Sequence, residues 1–180
     1  MDISAGVHWL TLALISALAS AGTPQHVSLS NGSLERNFEI ADGRVRTVSL
    51  YNRLDRRLYR IDSQEFEVIL IQEERGYVPN RQNPVRLTGD DFSLQGFDRN
   101  ADGLVFHLAN KPFHLEVDMV VRLAPTDFYT RKWLEIRSTG GFVQFLDRIA
   151  VEKFSIAGVK VEHGGFGQPV YADGIFYGLE

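Results

Sequence analysis

The sequence predicts an all-β protein, an antiparallel β-sandwich, and three observations carry that expectation. Phe113, Leu115, Val117, Met119, Val121 and Leu123 alternate with His114, Glu116, Asp118, Val120 and Arg122. A period of two held that long buries one face of a strand and wets the other. Other short segments rich in aromatic and β-branched residues recur between turn signals. After residue 21 no stretch holds a 3.6-residue period, so the predicted core is built from strands alone. Short strands joined by turns pair antiparallel and close into two packed sheets.

The elements follow in chain order. Leu10 to Leu18 is an apolar run too short to cross a bilayer comfortably, and Ala19-Ser20-Ala21 supplies an A-x-A cleavage signature before Gly22. Residues 1–21 are therefore expected to form a signal helix that is removed on export, although Met1 to Trp9 holds no Lys or Arg. The competing reading is a buried apolar helix or an uncleaved anchor. Residues 22–180 are expected as one domain of a secreted or periplasmic protein, with no membrane partner once the signal is cleaved, since no later segment is apolar enough to span a bilayer.

Phe38 and Ile40 alternate, Asp42-Gly43 favours positive φ and marks a hairpin turn, and Val48 and Leu50 continue beyond it. Phe66, Val68 and Leu70 mark another strand. Glu73 to Pro84 is polar, with two prolines and one glycine, and reads as a long loop leaving the sheet. Phe92–Phe97 and Leu104–Leu108 flank a turn, and Phe128–Arg137 and Ile149–Ile156 complete the strand set.

Composition narrows the function classes. Of 180 residues 19 are Lys or Arg and 23 are Asp or Glu, a formal charge of -4, which gives no electrostatic footprint for nucleic acid. The absence of cysteine excludes disulfides, thiolate metal sites and cysteine nucleophiles together. Stability must come from the core, and 44% hydrophobic residues suffice for one of good size.

Several segments imitate chemical motifs. Asp98-Arg99-Asn100-Ala101-Asp102-Gly103 matches the first half of a calcium-binding EF-hand loop, but its twelfth position is Ala109 where a bidentate Glu is required. A hairpin turn is the simpler expectation. His163-Gly164-Gly165-Phe166-Gly167 is similar to an esterase oxyanion segment, yet no G-x-S-x-G elbow accompanies it. His107 and His114 flank the Asn110-Lys111-Pro112 turn and, with Glu116, form a weak zinc candidate beside the plainer reading of solvent-facing polar residues. The pairs Glu73-Glu74 and Asp90-Asp91 do not supply the opposed carboxylates of a glycosidase, because neighbours on a strand face opposite ways. Asn31-Gly32-Ser33 is a formal N-glycosylation acceptor. Tyr129 and Trp133, on one predicted strand face, form a candidate sugar-stacking platform.

An ordered series of segments resembles a known family. Asn31-Gly32-Ser33-Leu34-Glu35-Arg36-Asn37-Phe38, Asp42-Gly43-Arg44-Val45, Ser49-Leu50-Tyr51-Asn52 and Ser63-Gln64-Glu65-Phe66 come first, and Tyr129-Thr130-Arg131-Lys132-Trp133-Leu134-Glu135-Ile136 follows. Gly167-Gln168-Pro169-Val170 and Phe176-Tyr177-Gly178-Leu179-Glu180 complete it. Together they resemble the N-terminal β-supersandwich domain, galactose mutarotase-like, of α-galactosidase-like glycoside hydrolases.

The resemblance implies a supersandwich packed against a downstream catalytic barrel that holds the catalytic carboxylates. No catalytic residue, metal or cofactor is then expected in this chain. The glycine- and aromatic-rich C-terminal stretch is expected to lead into that barrel and to shape one wall of a carbohydrate cleft. Gln168, Tyr171 and Asp173 are the polar candidates for sugar contact, and Trp133 is the candidate of the alternative, a stand-alone carbohydrate-binding module. A structural or adhesive surface domain is the third possibility.

Overall fold

The computed structural model describes residues 23–74, 78–141, 145–159, 161–162 and 169–178. The expected signal helix, residues 1–21, lies outside them.

Thirteen strands are described: β1 (Gln25–Ser30), β2 (Leu34–Ala41), β3 (Arg44–Asn52), β4 (Arg57–Glu74), β5 (Val78–Thr88), β6 (Ser93–Arg99), β7 (Gly103–Asn110), β8 (Leu115–Arg122), β9 (Arg131–Ser138), β10 (Phe145–Ile156), β11 (Val161–Glu162), β12 (Val170–Ala172) and β13 (Ile175–Tyr177). Among the described residues the only helical turn is a 3-10 turn at Gly89–Asp91. Every strand pairing is antiparallel. One sheet runs β1-β2-β3-β4-β10 with β5 also on β4, a second runs β6-β7-β8-β9, and a third, small one runs β11-β12-β13.

The first two sheets close on one core, as in a sandwich. Phe38, Val45, Phe66, Val68, Leu70 and Leu87 from the larger sheet meet Leu104, Phe106, Leu108, Val117, Met119 and Val121 from the four-stranded one. Phe38 and Phe106 bridge the sheets with ring centroids 5.0 Å apart. The long alternation proposed for Phe113–Leu123 is β8, shortened at its start because Phe113 and His114 belong to the preceding turn, where His114 has φ 49.

Two turns have the chemistry that their sequences demand. Asp42-Gly43 connects β2 to β3 with φ 51 and 71, and Asp173-Gly174 connects β12 to β13 with φ 48 and 88. Two successive positive φ values match the right-handed twist of the flanking strands, which is why Asp-Gly serves in both places.

The segment Glu73–Pro84 is not the loop that its polarity suggested. β4 continues to Glu74 and β5 starts at Val78, with Gln72 facing Asn80 and Glu74 facing Val78, so a hairpin arm prolongs the sheet. Pairing resumes there only beyond a register break between Leu70 and Gln72, where β5 passes from Val85 to Asn80 and residues 81–84 face no partner on β4.

β4 keeps one face buried over its length only through a bulge. Tyr59, Ile61 and Ser63 point inward at odd positions, and Phe66, Val68 and Leu70 at even ones. The change of parity occurs at Glu65, which has φ 63. The partner β10 is irregular at the same level, between Ala150 and Phe154. One extra residue re-aims a side chain, and here that side chain is the fully buried Glu65.

Candidate functional site

The small C-terminal sheet forms one wall of a groove. Its Asp173-Gly174 turn is held on β4, where the Arg57 guanidinium is ion-paired with Asp173 and the Tyr59 hydroxyl donates to the Asp173 carbonyl at 2.9 Å. A Cβ at Gly174 would lie 3.4 Å from the Tyr59 oxygen, so glycine suits both the turn and its seat. The groove has a volume of about 500 Å³ and is lined by Gly158, Glu162, Tyr171, Asp173 and Gly174. Tyr171 is 54% exposed and is the cross-strand neighbour of Glu162. An exposed ring beside two carboxylates offers a stacking surface and several hydrogen-bond acceptors. That arrangement suits a neutral polyhydroxylated ligand.

Of the four predicted site residues the structure brings two together, Tyr171 and Asp173. Gln168 lies outside the described residues, as does the glycine run His163–Gly167. Trp133 belongs to a different sheet, on the outer face of β9. There the Arg122 guanidinium lies over its ring at 5.4 Å and its indole N–H donates to Glu135 Oε1 at 3.2 Å. A sugar stacking on that face of Trp133 would have to displace the arginine. Tyr129 precedes β9, so it shares no strand face with Trp133, and its ring instead meets Phe128 and Arg131.

A second constellation is a group of four charges, three with buried side chains and the fourth, Glu152, 22% exposed. Arg36 on β2, Glu65 at the β4 bulge, Lys132 on β9 and Glu152 on β10 converge between the sheets. Arg36 donates to Glu152 at 2.6 Å and lies 3.3 Å from Glu65, while Lys132 lies 2.7 Å from Glu65 and 3.2 Å from Glu152. The Arg36 and Lys132 side chains are each 3% exposed and that of Glu65 is 0% exposed. Burial alone would push the Glu65 carboxyl up, but Lys132 and Arg36, with hydrogen bonds from Lys132 and Thr47, hold it down at about 2. Burial likewise disfavours the Arg36 cation, and Glu152 and Glu65 more than offset this.

The charges balance within the group, and Ser63 Oγ and the Thr47 N–H complete the Glu65 oxygens. Tyr177 of β13 stands against it, its phenol raised mainly by burial and next by Glu152, with no hydrogen-bond partner for its hydroxyl among the described residues. The signal available in the sequence was Arg36, inside the inward series Leu34, Arg36, Phe38. Nothing in sequence signals the bulge that turns Glu65 inward.

The outer face of the four-stranded sheet carries a polar row across its strands. His107 Nδ1 is 2.8 Å from Asp118 and Nε2 is 3.1 Å from Asp98, and Arg137 reaches Asp118 at 2.9 Å. Hydrogen bonds to Asp118 and then Asp98 raise the His107 pKa. His107 therefore pairs with aspartates on neighbouring strands and not with His114, and no group of three metal-ligating side chains is found among the described residues. Asp98–Gly103 is the end of β6, a hairpin connection over residues 100–102 and the start of β7: the Asn100 N–H donates to the Gly103 carbonyl at 3.1 Å, and the Asn100 side chain accepts from the Asp102 N–H.

The acceptor Asn31 is fully engaged. Its Oδ1 accepts from the Ser33 and Leu34 amides at 2.8 and 2.9 Å, and its Nδ2 donates to the Ala124 and Asp127 carbonyls, both at 2.7 Å. It joins the β1–β2 turn to the β8–β9 connection and has no free amide for a glycan.

No family model, curated protein or solved structure matches this chain.

Proposed function

We propose that this chain is a non-catalytic carbohydrate-recognition domain, of the supersandwich kind, serving a secreted enzyme that acts on α-galactoside-like substrates. The observation that carries the reading is the groove beside the C-terminal turn, where Tyr171, Glu162 and Asp173 meet. The ring offers a face for the C–H surface of a sugar, and the carboxylates accept from its hydroxyls. Arg57 ties one Asp173 oxygen to the sheet and so fixes the carboxylate for binding. Resemblance in the segments around Asn31–Phe38, Ser63–Phe66 and Tyr129–Ile136 supports the family assignment, with the reaction assigned to a separate barrel. The groove is preferred over Trp133 as the sugar platform because Arg122 already covers the indole.

The test is titration of the chain with free galactose and with α-galactosides, read by calorimetry and by chemical-shift changes. Saturable binding lost in Tyr171→Ala, with unchanged unfolding, is the expected result. Binding that survives Tyr171→Ala and disappears in Trp133→Ala would move the site to β9, and no binding of either ligand would end the carbohydrate reading.

A further inference from the structure

Asn31-Gly32 is the only Asn-Gly step in the chain, and the fold builds a tie on it. Asn31 Oδ1 holds the Ser33 and Leu34 amides, and Nδ2 donates to the Ala124 and Asp127 carbonyls, both at 2.7 Å. The side chain thereby links the larger sheet, through the β1–β2 turn, to the four-stranded sheet, through the β8–β9 connection. Residues 124–127 are themselves a tight turn: the Asp127 N–H donates to the Ala124 carbonyl at 3.1 Å, and Pro125 and Thr126 at its tip are exposed. Gly32 is exposed as well, and a Cβ there would meet nothing within 4 Å. Its backbone nitrogen follows the Asn31 amide with no side chain of its own and no neighbour to hinder it.

We propose that Asn31 is a self-modification site, gated by the 124–127 turn, at which the side-chain amide is lost as ammonia. The Gly32 backbone nitrogen attacks Asn31 Cγ and gives its proton to solvent. The Cγ–Nδ2 bond breaks, Nδ2 takes a proton from solvent, and ammonia leaves. Water then opens the five-membered imide at either carbonyl, which yields aspartate or its β-linked isomer without any oxidant or reductant. The Ser33 and Leu34 amides donate to the oxygen on which negative charge develops, as the donors of an oxyanion hole do. The Ala124 and Asp127 carbonyls act the other way, because Nδ2 cannot depart while it donates to both. Local opening of the 124–127 turn is therefore the gate. The reaction is also one-way. A carboxylate oxygen in place of Nδ2 would face two carbonyl oxygens with no proton between them, so the modified turn stays parted from the β8–β9 connection. This inference is independent of the carbohydrate reading.

The test is incubation of the chain in mildly alkaline buffer, folded and unfolded in urea, with conversion at residue 31 read by peptide mapping and mass spectrometry. Conversion is expected in both states, about tenfold or more slower in the folded chain, because the bonds to Ala124 and Asp127 must break first. Pro125→Gly leaves Asn31 and Gly32 in place and loosens the turn, so it should speed the folded reaction about two- to five-fold and leave the unfolded one unchanged. Gly32→Ala should slow both. Asn31→Asp reproduces the product and should lower the urea midpoint while the far-ultraviolet strand signal stays.

Equal rates in the folded and unfolded chain would remove the gate, and no conversion in the folded chain while the unfolded chain converts would remove the site; either overturns the proposal. So does a folded rate unmoved by Pro125→Gly, or an Asn31→Asp midpoint equal to that of the parent chain. Conversion undiminished in Gly32→Ala would assign the attack to water and equally overturn it.

Discussion

Replacing Glu65 with glutamine tests the buried charge group most directly. The substitution keeps the size of the side chain and removes one of two negative charges that balance Arg36 and Lys132. Glu65 Oε1 accepts from the Thr47 N–H and from Ser63 Oγ, so the glutamine carbonyl is committed to that side. Its amide then points at Lys132 Nζ and the Arg36 guanidinium, which now contact Glu65 Oε2 at 2.7 and 3.3 Å. A donor faces two cations, and the group carries an uncompensated positive charge.

Breaking a buried ion pair by removing one partner costs about 3–5 kcal/mol. The titration of Glu65 gives a similar figure, since a carboxyl held at about 2 against a usual 4.5 corresponds to about 3 kcal/mol. Because the folded value lies below the unfolded one, this stabilisation is complete above about pH 4.5 and is lost as pH falls toward 2. Urea unfolding followed by tryptophan fluorescence, run from pH 3 to 7, should show a loss of about 3–5 kcal/mol in Glu65→Gln at neutral pH. It should also show a flatter acid limb. The double variant Glu65→Gln/Lys132→Met restores neutrality and should recover at least about 1 kcal/mol relative to the sum of the single losses. A loss under about 1 kcal/mol in Glu65→Gln, or strict additivity in the double variant, would refute the coupling of these four side chains.

Three further outcomes follow from the same geometry. Gly89→Ala should destabilise the fold by about 1–3 kcal/mol, because the added Cβ would stand 2.6 Å from the Gln64 carbonyl oxygen; a thermal melt checks it. Asn31→Ala should cost about 2 kcal/mol through loss of the tie between the β1–β2 turn and the β8–β9 connection, and the folded protein should gain no glycan mass when offered to a glycosylating extract. The His107 pKa is raised by Asp118 and Asp98, so the stabilisation by His107 is complete below about pH 6.5 and is lost as pH rises through its folded value. In His107→Asn, where Asp98, Asp118, Arg137 and the Glu116 that faces Arg137 remain in the row, the dependence of the unfolding midpoint between pH 6 and 9 should flatten.

The parts of the fold legible in the sequence were those governed by local rules. Alternation at Leu115–Val121 located β8, and the Asp42-Gly43 step located a hairpin with its positive φ values. Glu73–Pro84 is polar in sequence, yet β4 and β5 pair again within it beyond a register break, which composition does not encode. The candidate site was half legible. Tyr171 and Asp173 do share a groove, but the residue that completes it, Glu162, is joined to them by the pairing of β11 with β12. Trp133 is an aromatic candidate by residue type alone, and only the position of Arg122 across the sheet shows that one face of the ring is covered.

By itself the sequence determined an all-β antiparallel chain, because periodicity and turn chemistry act over a few residues and need no partner. Only the tertiary structure decided where charge is buried. Arg36, Glu65, Lys132 and Glu152 lie on four strands of two sheets, and a single inserted residue at the β4 bulge turns Glu65 inward. Such a group forms only when distant strands close around it, since the Coulomb attraction that stabilises it depends on distances and on exclusion of water that no local pattern encodes.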